Sequence, residues 1–135
     1  MREYKVEKDI LYPELSFKLV GIAFEVFNKL GYGHREYVYQ RLFSEILKAK
    51  GIPFVEQIRY KLIVDGKLIT TYAADYLIDD KIIVDLKAKE RFDKEDLRQV
   101  LGYLKESAKE LAILLAFARR GVKFHRVLMS KIRNS

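Results

Sequence analysis

The 135-residue chain is the size of one ordinary domain, and its 50% apolar and 33% charged residues exclude a disordered chain. No apolar run approaches the ~20 residues needed to cross a bilayer, and the lack of any cysteine excludes disulfide scaffolds, thiolate zinc sites, iron–sulfur clusters and cysteine nucleophiles. Lys and Arg outnumber Asp and Glu by 26 to 19, a net charge of +7 that suits a polyanionic partner.

In chain order, the charged opening MREYKVEKDI lacks the apolar stretch of a signal peptide, and a cytoplasmic location is expected. Pro13 suits the first turn of a helix. Leu15, Leu19, Ile22, Ala23, Val26, Phe27 and Leu30 then recur at helical spacing up to the stop at Gly31. A second helix is expected from near Arg35, with Val38, Leu42, Ile46 and Leu47 on one stripe, ending at Gly51-Ile52-Pro53. Residues 54–64 are β-branched and aromatic, and Asp65-Gly66 signals a two-residue hairpin into a strand from Lys67 to about Ile78. A third strand is expected from Lys81 to Lys89, then a helix capped by Asp93 carrying Leu97, Val100, Leu101 and Leu104. The apolar run Glu110–Ala118 reads as a buried strand in preference to a short helix, and a last strand spans about Val122 to Met129. The order α-α-β-β-β-α-β-β predicts an α/β fold, a mixed sheet flanked by helices. From Arg119 onward there are six basic residues and no acid, against 20 basic and 19 acidic elsewhere. This basic end is either a phosphate-backbone contact surface, with Arg119, Arg120, Lys123 and Arg126 as its contacts, or a solvated tail that also holds Lys131 and Arg133.

Candidate chemistry lies between Asp75 and Lys87. Asp85 and Lys87 are two apart on one strand, hence on one face. A two-residue loop at Asp79-Asp80 would mix charged and apolar side chains on both faces. A three-residue loop at Asp79-Asp80-Lys81 pairs Ile78 with Ile82, Tyr76 with Val84 and Asp75 with Asp85. Tyr76, Ile78, Ile82, Val84 and Leu86 then share one face, while Asp75, Asp85 and Lys87 share the other. Hydrophobic patterning sets register, so the second arrangement is expected. Two adjacent carboxylates repel unless one is protonated or a cation lies between them, and a hard ion such as Mg²⁺ suits oxygen ligands.

Asp75, nine intervening residues, then Asp85-Leu86-Lys87 resembles the signature of the PD-(D/E)XK nuclease superfamily. Gly33-His34-Arg35-Glu36-Tyr37-Val38-Tyr39 reads G-x-x-E-x-x-Y, and Gln99-Val100-Leu101-Gly102-Tyr103 reads Q-x-x-x-Y. Together they resemble the GxxExxY family of that superfamily, over residues 13–128. The resemblance implies a restriction-endonuclease-like core and a Mg²⁺-dependent nuclease, with Mn²⁺ as substitute, that hydrolyses phosphodiester bonds in DNA. Glu36 would be the helical acid, holding metal directly or through water. Asp75 would be the central metal ligand and Asp85 the second, with the Leu86 carbonyl as a further donor. Lys87 would stabilise phosphate charge or orient the attacking water, and Gln99 and Tyr103 would flank the site. The chain departs from the pattern in having Ala74 before Asp75 and the shorter Asp at position 85.

Each residue also has a plainer reading. Asp85 and Lys87 could form a structural ion pair, and Glu36 could favour a helix N-terminus. Tyr39 and Tyr103 read better as packing residues with a hydroxyl bond, and His34 as a surface or capping residue. Glu25 reads as a solvent-facing helix position, and Lys89, Glu90 and Arg91 as a solvated strand end. The rival function is a non-catalytic nucleic-acid-binding or protein-interaction module on the same fold; a third is a structural subunit with a large exposed apolar patch. Cutting both strands of a duplex would call for a homodimer, which the sequence itself does not display.

Overall fold

The computed structural model describes residues 11–129. Lys131 and Arg133 lie outside the described residues. Helix α1 spans Pro13–Leu30, with the proline at its first turn and its last turn closed by the Gly31 amide donating to the Phe27 carbonyl at 2.7 Å. It buries Leu19, Ile22, Ala23 and Val26, the i, i+3, i+4, i+7 stripe that the spacing predicts. Helix α2 spans Glu36–Ala49 and buries Tyr39, Phe43, Ser44, Ile46 and Leu47. The expected stripe is thus turned slightly: Val38 and Leu42 sit at its margin, and the aromatic rings take the core. Large rings remove more apolar area from water than Val or Leu, which sets the rotation.

Strands β1 (Phe54–Val64) and β2 (Lys67–Ile78) form a hairpin through Asp65 (φ 52°) and Gly66 (φ 79°), both left-handed as a type I′ turn requires. Its distal end extends past the rest of the sheet and leaves Ile63, Val64, Leu68 and Ile69 exposed. Strand β3 is Ile82–Lys87, shorter at both ends than the sequence suggests. Helix α3, Lys94–Ser107, opens on a reciprocal capping box between Asp93 and Asp96. Strands β4 (Leu111–Ala118) and β5 (Gly121–Leu128) follow as the last elements of the described residues. The five-stranded sheet has the order β1-β2-β3-β4-β5, parallel only between β3 and β4 and antiparallel elsewhere. This is the expected mixed α/β sheet with the expected element order.

One face of the sheet is covered by α1 and α2, with Tyr76, Ile78, Ile82, Val84 and Leu86 contributed from the strands. The other is covered by α3, which packs Val100, Tyr103 and Leu104 against Ile58, Ala74, Ile83, Ala112 and Leu114. Every residue of β4 is buried because helices cover both of its faces and strands flank both of its edges. An uninterrupted apolar run is what such a strand needs, so 111–118 shows no alternation. Among the described residues, no helix is long and apolar enough to cross a membrane.

Candidate active site

The site arises where β2 and β3 part. Their ladder runs through Ile78↔Ile82, Leu77↔Ile83 and Tyr76↔Val84, the register expected from the hydrophobic pattern, and stops one pair short of Asp75 and Asp85. Beyond it side chains replace the backbone bonds: the Asp75 amide donates to Asp85 Oδ1 at 3.0 Å, and the Leu86 amide donates to Asp75 Oδ2 at 2.7 Å. The two carboxylates therefore wedge the strands open and stand side by side. Across β2 the neighbouring strand is irregular at the same level, since Gln57, opposite Asp75, has φ 54°.

The fork is built by packing. Tyr76 belongs to the core under α1 and α2, whereas Ala74 belongs to the core under α3. Residues two apart in a regular strand share a face, so the alternation breaks at Asp75. Its side chain leaves both apolar cores and enters the gap between the strands.

Four further groups converge here. Lys87 Nζ lies 2.9 Å from Asp85 Oδ2, in a pair with the lysine one-quarter and the aspartate 8% exposed. Lys87 also lies 3.8 Å from Asp96 Oδ1 on α3. From α2, the Gln40 amide nitrogen donates to Asp75 Oδ1 at 3.0 Å and to Glu36 Oε2 at 3.3 Å, tying the helical acid to the strand acid. Glu36, Asp75, Asp85 and Lys87, from three separate elements, thus meet in one place.

Burial, then the Asp85 carboxylate beside it, pushes the Asp75 carboxyl up to about 7. Glu36 is also raised, chiefly by burial, with Lys87 opposing and Asp85 and Asp96 adding to the rise. For Lys87 burial favours the neutral amine, but Asp85, Glu36 and Asp96 outweigh it and hold the ammonium charged. The result is an excess of partly desolvated negative charge facing one ammonium, an arrangement that a cation would relieve.

Among the described residues, no three acidic or histidine side chains already form a closed metal-ligand set. The donors nonetheless fit a hard divalent ion. Such an ion binds through as few as one or two carboxylates and keeps several waters, and Asp75 and Asp85 are the carboxylates that would hold it. The Leu86 amide points into the fork, and the carbonyl of a strand residue points to the same side as its amide, which offers a third oxygen. Glu36, bonded to Gln40, would reach such an ion through water.

The other expected residues take different positions. Gln99 Oε1 accepts the Ala73 amide at 3.1 Å, anchoring β2 two residues before Asp75. Tyr103 is buried against Tyr60, with centroids 6.0 Å apart, and burial raises its phenol. Tyr39 is fully buried, stacks on Phe117 at 4.2 Å and donates its hydroxyl to the Gly31 carbonyl at 2.6 Å, the packing role expected of it. His34 rests edge-on against Tyr39, and its Nε2 lies 2.8 Å from the Leu30 carbonyl oxygen. Lys89 is not a free strand end: its ammonium binds Asp96 at 2.7 Å and Asp93 at 3.1 Å. Arg119 and Arg120 form the exposed β4–β5 turn, and Arg119 lies over the Tyr32 ring at 5.6 Å. Lys123 donates to the Glu90 carbonyl at 2.7 Å, and Arg126 donates to the Leu11 carbonyl at 3.0 Å. Gln40 and Asp96 are the participants that sequence reasoning passes over.

No curated protein matches the sequence. The crystal structure of SSO0001 is similar in fold, with a TM-score of 0.53 at 18% identity over 73% of this chain. The match spans about half of that protein's length, 53%. Residues 13–127, a span that holds the forked strands and every carboxylate of the cluster, match the family described as the PD-(D/E)XK nuclease superfamily, and the chain belongs to it.

Proposed function

We propose that the protein is a Mg²⁺-dependent nuclease of the GxxExxY branch, with Mn²⁺ as substitute, hydrolysing phosphodiester bonds in DNA. The observation that carries this reading is the pair of carboxylates in the β2–β3 fork, with Lys87 on Asp85 and Gln40 linking Asp75 to Glu36. Asp75, Asp85 and the Leu86 carbonyl would hold the ion, and Glu36 would hold one of its waters. A divalent cation bound there supplies neutralisation of the phosphate's developing charge and a more acidic water. Lys87 places a compact ammonium beside the scissile phosphate and orients the attacking water in line with the leaving oxygen. Gln99 acts by fixing the backbone of β2 through Ala73, and Tyr103 by packing α3 beneath it. Arg119, Arg120 and Lys123 would hold the phosphate backbone. A homodimer would supply the second site that duplex cleavage needs.

The test is cleavage of labelled DNA, with RNA in parallel, across a Mg²⁺ and Mn²⁺ titration. Asp85→Ala and Lys87→Ala are each expected to lower the rate at least 100-fold. Equal cleavage by wild type and Asp85→Ala removes the catalytic assignment. Binding without cleavage under every metal would leave a nucleic-acid-binding module.

A further inference from the structure

Beside the carboxylates lies a second feature that the proposed chemistry does not use. A cleft of about 330 Å³ opens between α2 and the edge strand β1, lined by Tyr37, Gln40, Arg41, Ser44, Glu56 and Gln57 among others. It touches the acidic cluster through one side chain, because the Gln40 amide that lines it is bonded to Asp75 Oδ1. Its floor is a polar network: the Ser44 hydroxyl donates to Glu56 and lies 2.7 Å from the Tyr76 hydroxyl, which donates to the Gln40 carbonyl at 2.9 Å.

The chemistry of the walls is mixed. Arg41 and Lys48 are balanced by Glu45 and Glu56, so the cleft is no anion trap. It offers amide and guanidinium donors, carboxylate and hydroxyl acceptors and one exposed aromatic ring, Tyr37. Gln57, which lines the cleft, holds a left-handed backbone (φ 54°) within a strand, a conformation that non-glycine residues avoid. Retained strain next to a reactive site is a pointer to function. A flat heterocycle with donors and acceptors on its edge meets all of these features.

We propose that this cleft is a nucleobase subsite: it receives a base flanking the attacked phosphate, stacked on Tyr37 and hydrogen-bonded by Gln57 and Glu56. The proposal rests on the nuclease reading for the position of that phosphate. Glu56 supplies an acceptor: adenine, cytosine and guanine offer it an amino group, whereas thymine's one donor, N3–H, is flanked by two carbonyl oxygens that a carboxylate repels, so thymine binds less well. The nuclease therefore prefers particular bases beside its cut without any separate DNA-reading module.

The experiment is an NMR titration of the ¹⁵N-labelled, metal-free protein with the four deoxynucleoside 5′-monophosphates, with 2-deoxyribose 5-phosphate as the base-less control. The Ser44 and Gln57 resonances should move saturably with dAMP, dCMP and dGMP, less with dTMP, and stay in place with the control. Tyr37→Ala should weaken binding about tenfold, the usual scale for removing a base–aromatic stack. Gln57→Gly should keep its melting temperature, since glycine takes this φ freely, and still bind more weakly. The subsite is overturned if no nucleotide moves those resonances or if the base-less compound moves them equally. DNA cleavage by wild type and Asp85→Ala, measured separately, reports on the nuclease reading alone. Cleavage with unmoved Ser44 and Gln57 sinks only the subsite, whereas base-dependent shifts without cleavage support it.

Discussion

At the scale of single residues, Asp75 concentrates the tension of the site. Its carboxyl titrates at about 7 against an ordinary value of 3.8, because burial and the Asp85 charge both oppose ionisation. The folded state therefore holds a proton that the unfolded chain has released. That preference stabilises the fold fully below about pH 4 and is lost as the pH climbs to 7, at about 1.4 kcal/mol per pH unit. Without metal, stability should fall between pH 4 and 7 and level off above, as followed by thermal unfolding in EDTA. Asp75→Asn should flatten that slope and stabilise the metal-free protein at pH 8 by about 1–3 kcal/mol. A divalent cation competes with the same proton, so added Mg²⁺ should raise the melting temperature of the wild type more at pH 8 than at pH 5. An equal gain at both pH values would place the ion elsewhere.

The residues at this centre differ in how far the sequence reveals them. Asp85 and Lys87 stand out because charges alternate with apolar residues in a strand, and Glu36 through its motif. Gln40 has no such signal: it is an ordinary helix residue, and its partner Asp75 is 35 positions away. Asp96 is hidden for another reason. It reads as part of a helix N-terminus, and it does complete the capping box with Asp93, but the same carboxylate also receives Lys89 and lies beside Lys87. Local spacing displays the first role and is blind to the second.

Between elements, α3 packs closely on the hairpin that carries Asp75, and Gly102 sets that distance. A Cβ at this position would run into the Tyr72 ring. Within a helix, Gly to Ala ordinarily gains about 1 kcal/mol, so the sign of the effect is diagnostic. Gly102→Ala should destabilise by about 1–3 kcal/mol through overpacking. In a Tyr72→Ala background, where the ring is gone, the same change should become neutral or favourable. Urea denaturation of the four proteins in that cycle measures the coupling. The Gln99-to-Tyr103 segment thereby gains a physical reading: Gln99 fixes the Ala73 amide, Gly102 admits Tyr72, and Tyr103 meets Tyr60. The strands themselves are largely legible. Asp65-Gly66 marks one turn, and gathering Tyr76, Ile78, Ile82, Val84 and Leu86 on one face chooses between two registers for the next. The left-handed Gln57 and the register shift at Leu62/Ile63 are not, because nothing in their local residue types, none being a glycine, signals a break in the ladder.

Across the whole molecule, the one parallel pair of strands directs function to one edge. β3 and β4 run side by side, so the carboxyl end of β3, with Lys87, and that of β4, with Arg119, face the same way. Open α/β sheets bind ligands at that end. The basic β4–β5 turn borders a cleft of about 370 Å³ together with Glu90 and Lys123, and Arg119 reaches Tyr32 just ahead of α2. A phosphate chain entering the fork would therefore continue over Arg119 and Arg120. Arg126 lacks that freedom: it is bonded to Leu11, its Nε is buried with no hydrogen-bond partner among the described residues, and burial lowers its ordinarily high pKa. The two kinds of arginine should separate by salt. For each phosphate that a variant no longer neutralises, the slope of log binding constant against log salt becomes shallower by roughly 0.9 on duplex DNA. With Ca²⁺ in place of Mg²⁺ to suppress cleavage, Arg119→Ala and Arg120→Ala should each reduce the slope by about that amount and leave the melting temperature nearly unchanged. Arg126→Ala should do the reverse, lowering the melting temperature and sparing the slope. If Arg119 and Arg120 leave the slope untouched, the backbone follows another path across the protein, and the basic turn is a solvated surface.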